Sequence, residues 1–505
     1  VNHWIVAPLL LPLLAGMASL LAARAPLRVQ RTLGLTATAA LLPLALLLLL
    51  EADGGRHLVY RLGDWPAPFG IVLVLDRLSA LMVLLTAAIA LAALVDACRG
   101  ADRLGRNFHP LFQLQLLGLN GAFLTGDLFN LFVFFEILLI ASYGLAVHGA
   151  GAGRVRAGLH YVALNLAGSA LFLVAIGLLY ALTGTLNLAD LALRVAAAGP
   201  AEGPLLRSAA LLLLVVFGLK AAILPLHLWL PALYGTTAAP VAALFAIMTK
   251  VGLYAILRVF TLVFGPDAGV AAEAAGSWLL PLALITLAAG AVGLLGSRDL
   301  RALVAWLVVI SVGTLLAGIA LANTAGLAAA LYYLPHTTLV TAGLFLLMEG
   351  LTLQRRHGDQ DGGSLAPAPL PAQPLLLGIL FFTGAMAAAG LPPLSGFLGK
   401  LLLLAAAPPG PQAAALWGVV LVGGLATLMA LSQAGSRIFW GTNGGRATGP
   451  RLGPAALLPM GALLGSSLLL VLLAAPVIDY AHATARQLLA PGGYVRAVLD
   501  TEAGR

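Results

Sequence analysis

Apolar runs long enough to cross a bilayer recur from one end of this chain to the other. A helix needs about 20 apolar residues to span the ~30 Å hydrocarbon core. Hydrocarbon satisfies no free backbone donor or acceptor, so the runs predict helices, with no strand or loop facing lipid. Fourteen segments are marked, with approximate cores 4–22, 32–50, 71–94, 111–125, 128–147, 161–182, 205–224, 238–257, 279–295, 302–322, 327–348, 375–407, 413–431 and 455–475, the twelfth interrupted. The expected fold is an all-α polytopic bundle. With 61% hydrophobic and 9% charged residues and a mean hydropathy of +1.02, lipid is the solvent for most of the chain. The net charge of +8 is spread singly between apolar runs without interleaved aromatics, which speaks for topology signals and against a nucleic-acid partner. The single cysteine, Cys98, excludes a disulfide framework and any multi-cysteine metal site. Ala23-Arg24-Ala25 loosely resembles a cleavage site, but no basic segment precedes the first apolar run, which is therefore read as a membrane helix.

Arginine distribution sets the expected orientation. The connections after segments 1, 3, 5, 9, 11 and 13 carry fifteen arginines, among them Arg24, Arg28, Arg31, Arg154, Arg156, Arg355 and Arg356, against nine on the other side. Positive residues stay on the cytoplasmic side, so both termini are expected away from the cytoplasm of a bacterial inner membrane. The longest polar connections, 51–69, 187–207 and 355–373, read as ordinary loops.

Pro225 interrupts the seventh segment and Pro392-Pro393 the twelfth. Proline removes a donor and clashes with the preceding turn, which leaves carbonyls in need of a partner. Paired breaks at corresponding places in two halves are the mark of inverted-repeat transporters, whose sites lie near the midplane. Two independent kinks are the plainer alternative.

The chain has twenty-four arginines, read as lying in loops or near helix ends, and only three lysines, Lys220, Lys250 and Lys400, all inside apolar segments. An amine in a desolvated place can lose its proton, which arginine cannot do. A lysine at the bilayer centre costs at least ~2.5 kcal/mol, so three packing accidents are a poor explanation. Glu136 is the only acid near the middle of an apolar run. A Glu136–Lys220 pair would hold both groups charged when closed and relax both when open, a switch; a static interhelical salt bridge is the alternative. His336, inside the eleventh segment, suits either a proton relay between Lys250 and Lys400 or a helix–helix hydrogen bond. His227, two residues after Pro225, suits either an accessory proton site or a partner for a freed carbonyl. His148 and His160 read as interfacial, Asp127 as a helix cap, and Asp76-Arg77 and Arg298-Asp299 as local pairs or anchors. No metal spacing, Walker motif or nucleophile with its base is present, so neither a cofactor nor enzymatic chemistry is expected.

Lys220-Ala-Ala-Ile-Leu-Pro-Leu-His-Leu-Trp-Leu-Pro231, the Met248-Thr-Lys250-Val-Gly-Leu-Tyr254 stretch after Pro240, and Gly390-Leu-Pro-Pro-Leu-Ser-Gly-Phe-Leu-Gly-Lys400 resemble the proton-antiporter-like membrane subunits shared by respiratory complex I, membrane hydrogenases and Mrp (Pha) cation/proton antiporters. The stretches from Gly126 to Tyr143 and from Tyr60 to Met82 are most similar to the D subunits of the Mrp antiporters. The resemblance covers nearly the whole chain. It implies that residues 1–110 form three flanking helices, 111–262 and 263–437 two inverted five-helix repeats, and 438–505 a final helix and tail. It further implies that Glu136 and Lys220 form the switch pair, Lys250 and His336 carry the proton onward, Lys400 ends the path, and partner subunits couple proton movement to export of sodium or potassium. Thr341 stands where many relatives carry a lysine, which would shift weight onto His336 and water. A proton-pumping subunit of a quinone oxidoreductase or membrane hydrogenase is the main rival, and a structural assembly subunit whose buried charges fix helix register is the third.

Overall fold

The computed structural model describes residues 3–66, 69–356, 362–442, 444 and 449–499. Residues 357–361 of the third long connection, and Arg446 and Arg505 of the arginine count, lie outside the described residues. The first half runs α1 (Ala7–Leu21), α2 (Leu27–Asp53), β1 (Leu58–Arg61), β2 (Val72–Leu75), α3 (Arg77–Ala97), α4 (Phe108–Leu124), α5 (Leu128–Ala146), α6 (Ala152–Thr183), α7 (Leu188–Ala196), α8 (Gly203–Ala221), α9 (Trp229–Thr236), α10 (Ala239–Phe245) and α11 (Met248–Leu262). The second half runs α12 (Gly276–Leu295), α13 (Leu300–Ala320), α14 (Thr324–Arg355), α15 (Pro374–Ala389), α16 (Ser395–Ala405), α17 (Pro411–Phe439), α18 (Pro454–Leu472), α19 (Ala474–Leu488) and α20 (Gly492–Leu499). Among the described residues, twelve helical stretches are long and apolar enough to cross a membrane, which makes this a multi-pass membrane protein. The other two marked segments are the 17-residue α4 and the split pair α15–α16, whose pieces have 16 and 11 residues.

Both proline breaks are present. α8 stops at Ala221, with Ala222 in the left-handed region at φ 60°, and helix resumes only at Trp229. The carbonyl of Leu219 accepts from the Trp229 indole Nε1 at 3.1 Å, and Leu224 N–H donates to Thr286 Oγ1 at 3.0 Å, so the opened backbone is satisfied inside the protein. α15 ends on Gly390 at φ 84°, whose N–H and that of Leu391 close the last turn onto Met386. A side chain at Gly390 would also strike Lys400 Cδ, 2.8 Å from its Cβ position.

Several local expectations are corrected. Residues 71–75 do not begin the third helix: β2 pairs antiparallel with β1, Tyr60 opposite Leu73. The β-branched Val72-Leu-Val-Leu75 run suits a strand, and Asp76 starts α3 by forming a reciprocal capping box with Ser79. The first long connection therefore holds a hairpin. The second holds α7, capped by Asn187 and burying Leu188, Leu191 and Val195. Past the last marked segment, α19 and α20 fold back: the Tyr480 hydroxyl donates to Arg77 O, and Gln487 Nε2 to Gly55 O.

Asp76 and Arg77 are not a local pair. Arg258, expected at a helix end, is buried in α11 and clamps Asp76 through two bonds, Nη1 to Oδ2 at 2.6 Å and Nη2 to Oδ1 at 2.9 Å. The rings of Tyr254 and Tyr494 lie 5.4 and 5.3 Å from the guanidinium. Arg77 instead reaches Asp53 at 3.4 Å. Asp127 does cap α5, accepting from Asn130 N–H, and Asp299 caps α13. His148 is buried, with Nε2 3.0 Å from Ala101 O, while His160 is exposed.

Breaking a buried ion pair from one side costs ~3–5 kcal/mol. Asp76→Asn and Arg258→Met are expected each to lower the melting temperature of the purified protein clearly, with the double variant less destabilised than the sum of the two. Single variants that melt like the parent would show that the clamp contributes nothing.

Candidate functional site

The five residues expected to carry protons, Glu136, Lys220, Lys250, His336 and Lys400, lie on helices that pack in succession: α5 on α6, α6 on α8, α8 on α11, α11 on α13, α13 on α14 and α14 on α16. α11 approaches α8 closely because Gly252 lies against it; a Cβ there would fall 2.5 Å from Ala221 N.

Glu136 and Lys220 do not form a direct ion pair in this structure. Each engages α6 instead. Ser169 Oγ donates to Glu136 Oε1, and one turn earlier Asn165 Oδ1 accepts from Lys220 Nζ at 3.3 Å. Asn165 is itself held by its Nδ2, which donates to Tyr161 O at 3.0 Å. Lys220 and both α6 side chains are buried, whereas Glu136 is half-buried on a face of α5 that exposes Phe129 and Ile140. A small cavity beside Lys220 is lined by Phe135, Leu138 and Leu139 of α5, by Tyr161 and Asn165 of α6, by Trp229, and by Met248 and Val251 of α11, so it borders the helices of both Glu136 and Lys250.

Lys250 is fully buried, and its Nζ donates to Ser311 Oγ of α13 at 3.0 Å and to Thr249 Oγ1 at 3.3 Å. His336 is buried in α14, its Nδ1 2.7 Å from Ser395 Oγ, which lies 2.8 Å from Ser467 Oγ of α18. Lys400, partly exposed, donates to the carbonyls of Ala389 at 2.7 Å and Ala388 at 3.3 Å, the acceptors left free by the second helix break. Thr341 Oγ1 donates back to Thr337 O at 2.7 Å and brings no charge to the segment after His336. His227 is buried against Trp306 and does not fill the first break, a task that falls to Trp229.

Each lysine thus finds only neutral oxygens as hydrogen-bond partners among the described residues. None of these partners is a counter-ion, and beside Lys250 the hydroxyls of Ser311 and Thr249 can both give and take a proton. Asn165, Ser169, Ser311, Ser395 and Ser467 were not marked in the sequence. Small polar residues are common in membrane helices, and only the i, i+4 spacing of Asn165 and Ser169 hinted at a shared face.

Cys98, Asp102 and His109 have donor atoms within 4.8 Å of one another, a metal-like grouping that their spacing does not announce. Asp102 is already engaged by Arg31 Nε at 2.6 Å and Nη2 at 2.7 Å and by His109 Nε2 at 3.2 Å, so a cation there would sit against a guanidinium. A larger cavity, about 880 Å³, lies between α7, the end of α11 and α20, and none of the expected proton carriers lines it.

A multi-pass helical bundle with two broken helices and titratable side chains strung across its interior is an ion-translocating membrane protein by design. Comparison with known proteins narrows this. Residues 125–429 match the family model described as NADH:quinone oxidoreductase/Mrp antiporter, TM. The chain is 42% identical, over 99% of its length and 98% of the relative's, to the D subunit of a probable K(+)/H(+) antiporter of Rhizobium meliloti (strain 1021). It is 36% identical, over 99% of both chains, to the D subunit of a Na(+)/H(+) antiporter of Alkalihalophilus pseudofirmus. A chain of the Mrp complex from Dietzia sp. DQ12-45-1b superposes with a TM-score of 0.87 at 29% identity, over 99% of this chain and 100% of that one. The chain belongs to the NADH:quinone oxidoreductase/Mrp antiporter membrane-subunit family, among its antiporter D subunits.

Removing a hydrogen bond to a charged group costs ~1.5–3 kcal/mol, about a 10- to 100-fold change in rate. Asn165→Leu and Ser169→Ala are each expected to slow proton exchange of the assembled complex by at least about tenfold; parental rates at matched assembly would make the α6 contacts incidental. Burial pushes the Cys98 thiol up to about 11, with Asp102 adding to the shift and Arg31 opposing it. Since the thiolate is the nucleophile, maleimide labelling of this single cysteine should be slow at ~pH 7 and rise about tenfold per pH unit to ~pH 10. A plateau near ~pH 8.5, the usual thiol range, would contradict this.

Proposed function

We propose that this chain is the proton-translocating membrane subunit of a multisubunit sodium- or potassium/proton antiporter, with Glu136, Lys220, Lys250, His336 and Lys400 as the proton carriers and His227 as an accessory. It works as part of a transporter and not as an enzyme, and the lysine path calls for no cofactor. The observation that supports the reading is the succession of packed helices on which the three lysines and His336 lie, each lysine against neutral oxygens.

The switch follows from the geometry on α6. With Lys220 on Asn165 and Glu136 on Ser169 the pair is open. Movement of the ammonium toward the carboxylate would close it and hold the proton; reopening would release the proton toward Lys250. From Lys250 the proton would pass by Ser311 and water to His336, which takes a proton on one ring nitrogen and gives one from the other, and then to Lys400. The two breaks, at α8–α9 and α15–α16, support a division into inverted repeats over 111–262 and 263–437 flanked by 1–110 and 438–505.

Partner subunits are part of this reading. Glu136 is half-buried on an exposed apolar face, and a carboxylate at that depth favours a protein neighbour over lipid. The arginine excess supports placing both termini outside the cytoplasm of a bacterial inner membrane. His3 packs edge-on against Tyr60 of the hairpin, and Arg61 of the same hairpin donates to Val498 O at 3.1 Å, which supports both ends lying on one side. The oxidoreductase reading is the weaker one, because relatives matching the full chain at 36–42% identity are named as D subunits of antiporters.

Cation-dependent proton exchange in everted vesicles that lack native antiporters tests the proposal with the complete operon. The parent should exchange, and Glu136→Gln and Lys220→Ala should each abolish exchange at matched expression and assembly. Unchanged exchange in the variants would reduce these charges to the structural role of a scaffold, and an inactive parent would favour the oxidoreductase rival.

A further inference from the structure

Away from the lysine series, a second column of buried polar groups runs between α1, α2 and α4. His109, Gln113 and Asn120 share one face of α4, at spacings of four and seven residues, and all three are buried. Their donors are used. His109 Nε2 faces the Asp102 carboxylate at 3.2 Å and so carries the proton of that bond. Gln113 Nε2 donates to Thr38 Oγ1 at 3.0 Å and to Gly34 O at 3.3 Å, and Asn120 Nδ2 donates to Pro8 O at 2.9 Å. Their acceptors are not: His109 Nδ1, Gln113 Oε1 and Asn120 Oδ1, together with Ser19 Oγ on α1, are buried without a protein partner.

Unsatisfied polar groups at membrane depth are costly, so three orphaned acceptors and one hydroxyl in one column point to a ligand that brings hydrogens. They are spread over about 16 Å of helix from His109 to Asn120, at 1.5 Å per residue. That spacing puts one or two acceptors at each level, where a dehydrated metal cation would need several oxygens at one level. Water fits: it donates twice, accepts twice and can stand in file. Gly34 lets α2 lie close against the charged end of this column, because a Cβ there would fall 2.9 Å from His109 Nδ1.

We infer that α1, α2 and α4 enclose a file of bound water that forms a second proton passage, ending at His109 and the Arg31–Asp102 pair. A proton arriving along the file binds His109 Nδ1 and gives an imidazolium paired with the Asp102 carboxylate; the Nε2 proton then passes through Asp102 Oδ2 to water at the partly exposed Arg31 end, and a flip of the neutral imidazole restores an N–H toward Asp102, so one proton enters and one leaves per cycle. Arg31 holds the receiving carboxylate, and His148, whose Nε2 engages Ala101 O, flanks the same end. The functional part of this inference rests on the antiporter reading.

Two measurements test it. In everted vesicles carrying the complete complex, Gln113→Leu/Asn120→Leu, which keeps side-chain bulk and removes both acceptors, should lower proton exchange at least about tenfold with parental assembly. Parental exchange in that variant would overturn the passage even while Lys220→Ala remains inactive. The second measurement does not depend on transport. In a Cys98→Ser background, Ser19→Cys should be modified by silver ion, a probe small enough to follow water, while Leu119→Cys, buried on α4 away from the column, stays protected. Equal protection of both thiols would overturn the water file, and it decides the matter if the leucine variant fails to assemble or the parent proves inactive.

Discussion

A backbone inside hydrocarbon has no solvent to bond with, and everything distinctive about this bundle follows from opening its helices twice under that constraint. At the first opening the freed Leu219 carbonyl is taken by the Trp229 indole and the Leu224 amide by Thr286. At the second the Ala388 and Ala389 carbonyls are taken by Lys400 itself. The two breaks are therefore not equivalent. One is sealed by an indole that has no charge to give, and leaves Lys220 to bond Asn165 on α6; the other uses the amine of Lys400 as its seal, which ties that side chain to the integrity of the break.

Between these ends the site is built from neutral partners. Asn165, Ser311 and the α15 carbonyls give the lysines oxygens without fixing their charge. The direct Glu136–Lys220 bridge expected from residue type would be the stronger interaction. By placing Ser169 on the carboxylate and Asn165 on the amine, α6 supplies each with a neutral hydrogen-bond partner in place of that bridge. The Asp76–Arg258 clamp has the opposite character, being bidentate, buried and flanked by two aromatic rings. It ties the start of α3 to the end of α11 and gives Lys250, two turns away on α11, a fixed frame.

The membrane class, the two breaks and the five expected carriers were legible because each rests on a residue type that hydrocarbon penalises: proline within an apolar run, a charge within an apolar run. Serine and asparagine pay far less to enter a membrane helix, so Asn165, Ser169, Ser311 and Ser467 gave no comparable signal. The hairpin, α7 and the returning α19 and α20 were missed for a related reason. Their stability comes from docking on distant parts, such as Tyr480 on Arg77 and Gln487 on Gly55, and not from a local pattern. Arg258 shows the limit most plainly, since its partner lies 182 residues away.

Solvent exclusion acts on each residue where it stands in the chain, so the sequence by itself determined that this is a lipid-embedded helical protein with its three lysines inside apolar segments. Pairing acts between residues that only packing brings together. The order in which the helices of the lysines and His336 pack, the choice of Asn165 over Glu136 as the partner of Lys220, and the column of orphaned polar groups along α4 were decided by the tertiary structure alone, because each depends on which helix faces lie against each other.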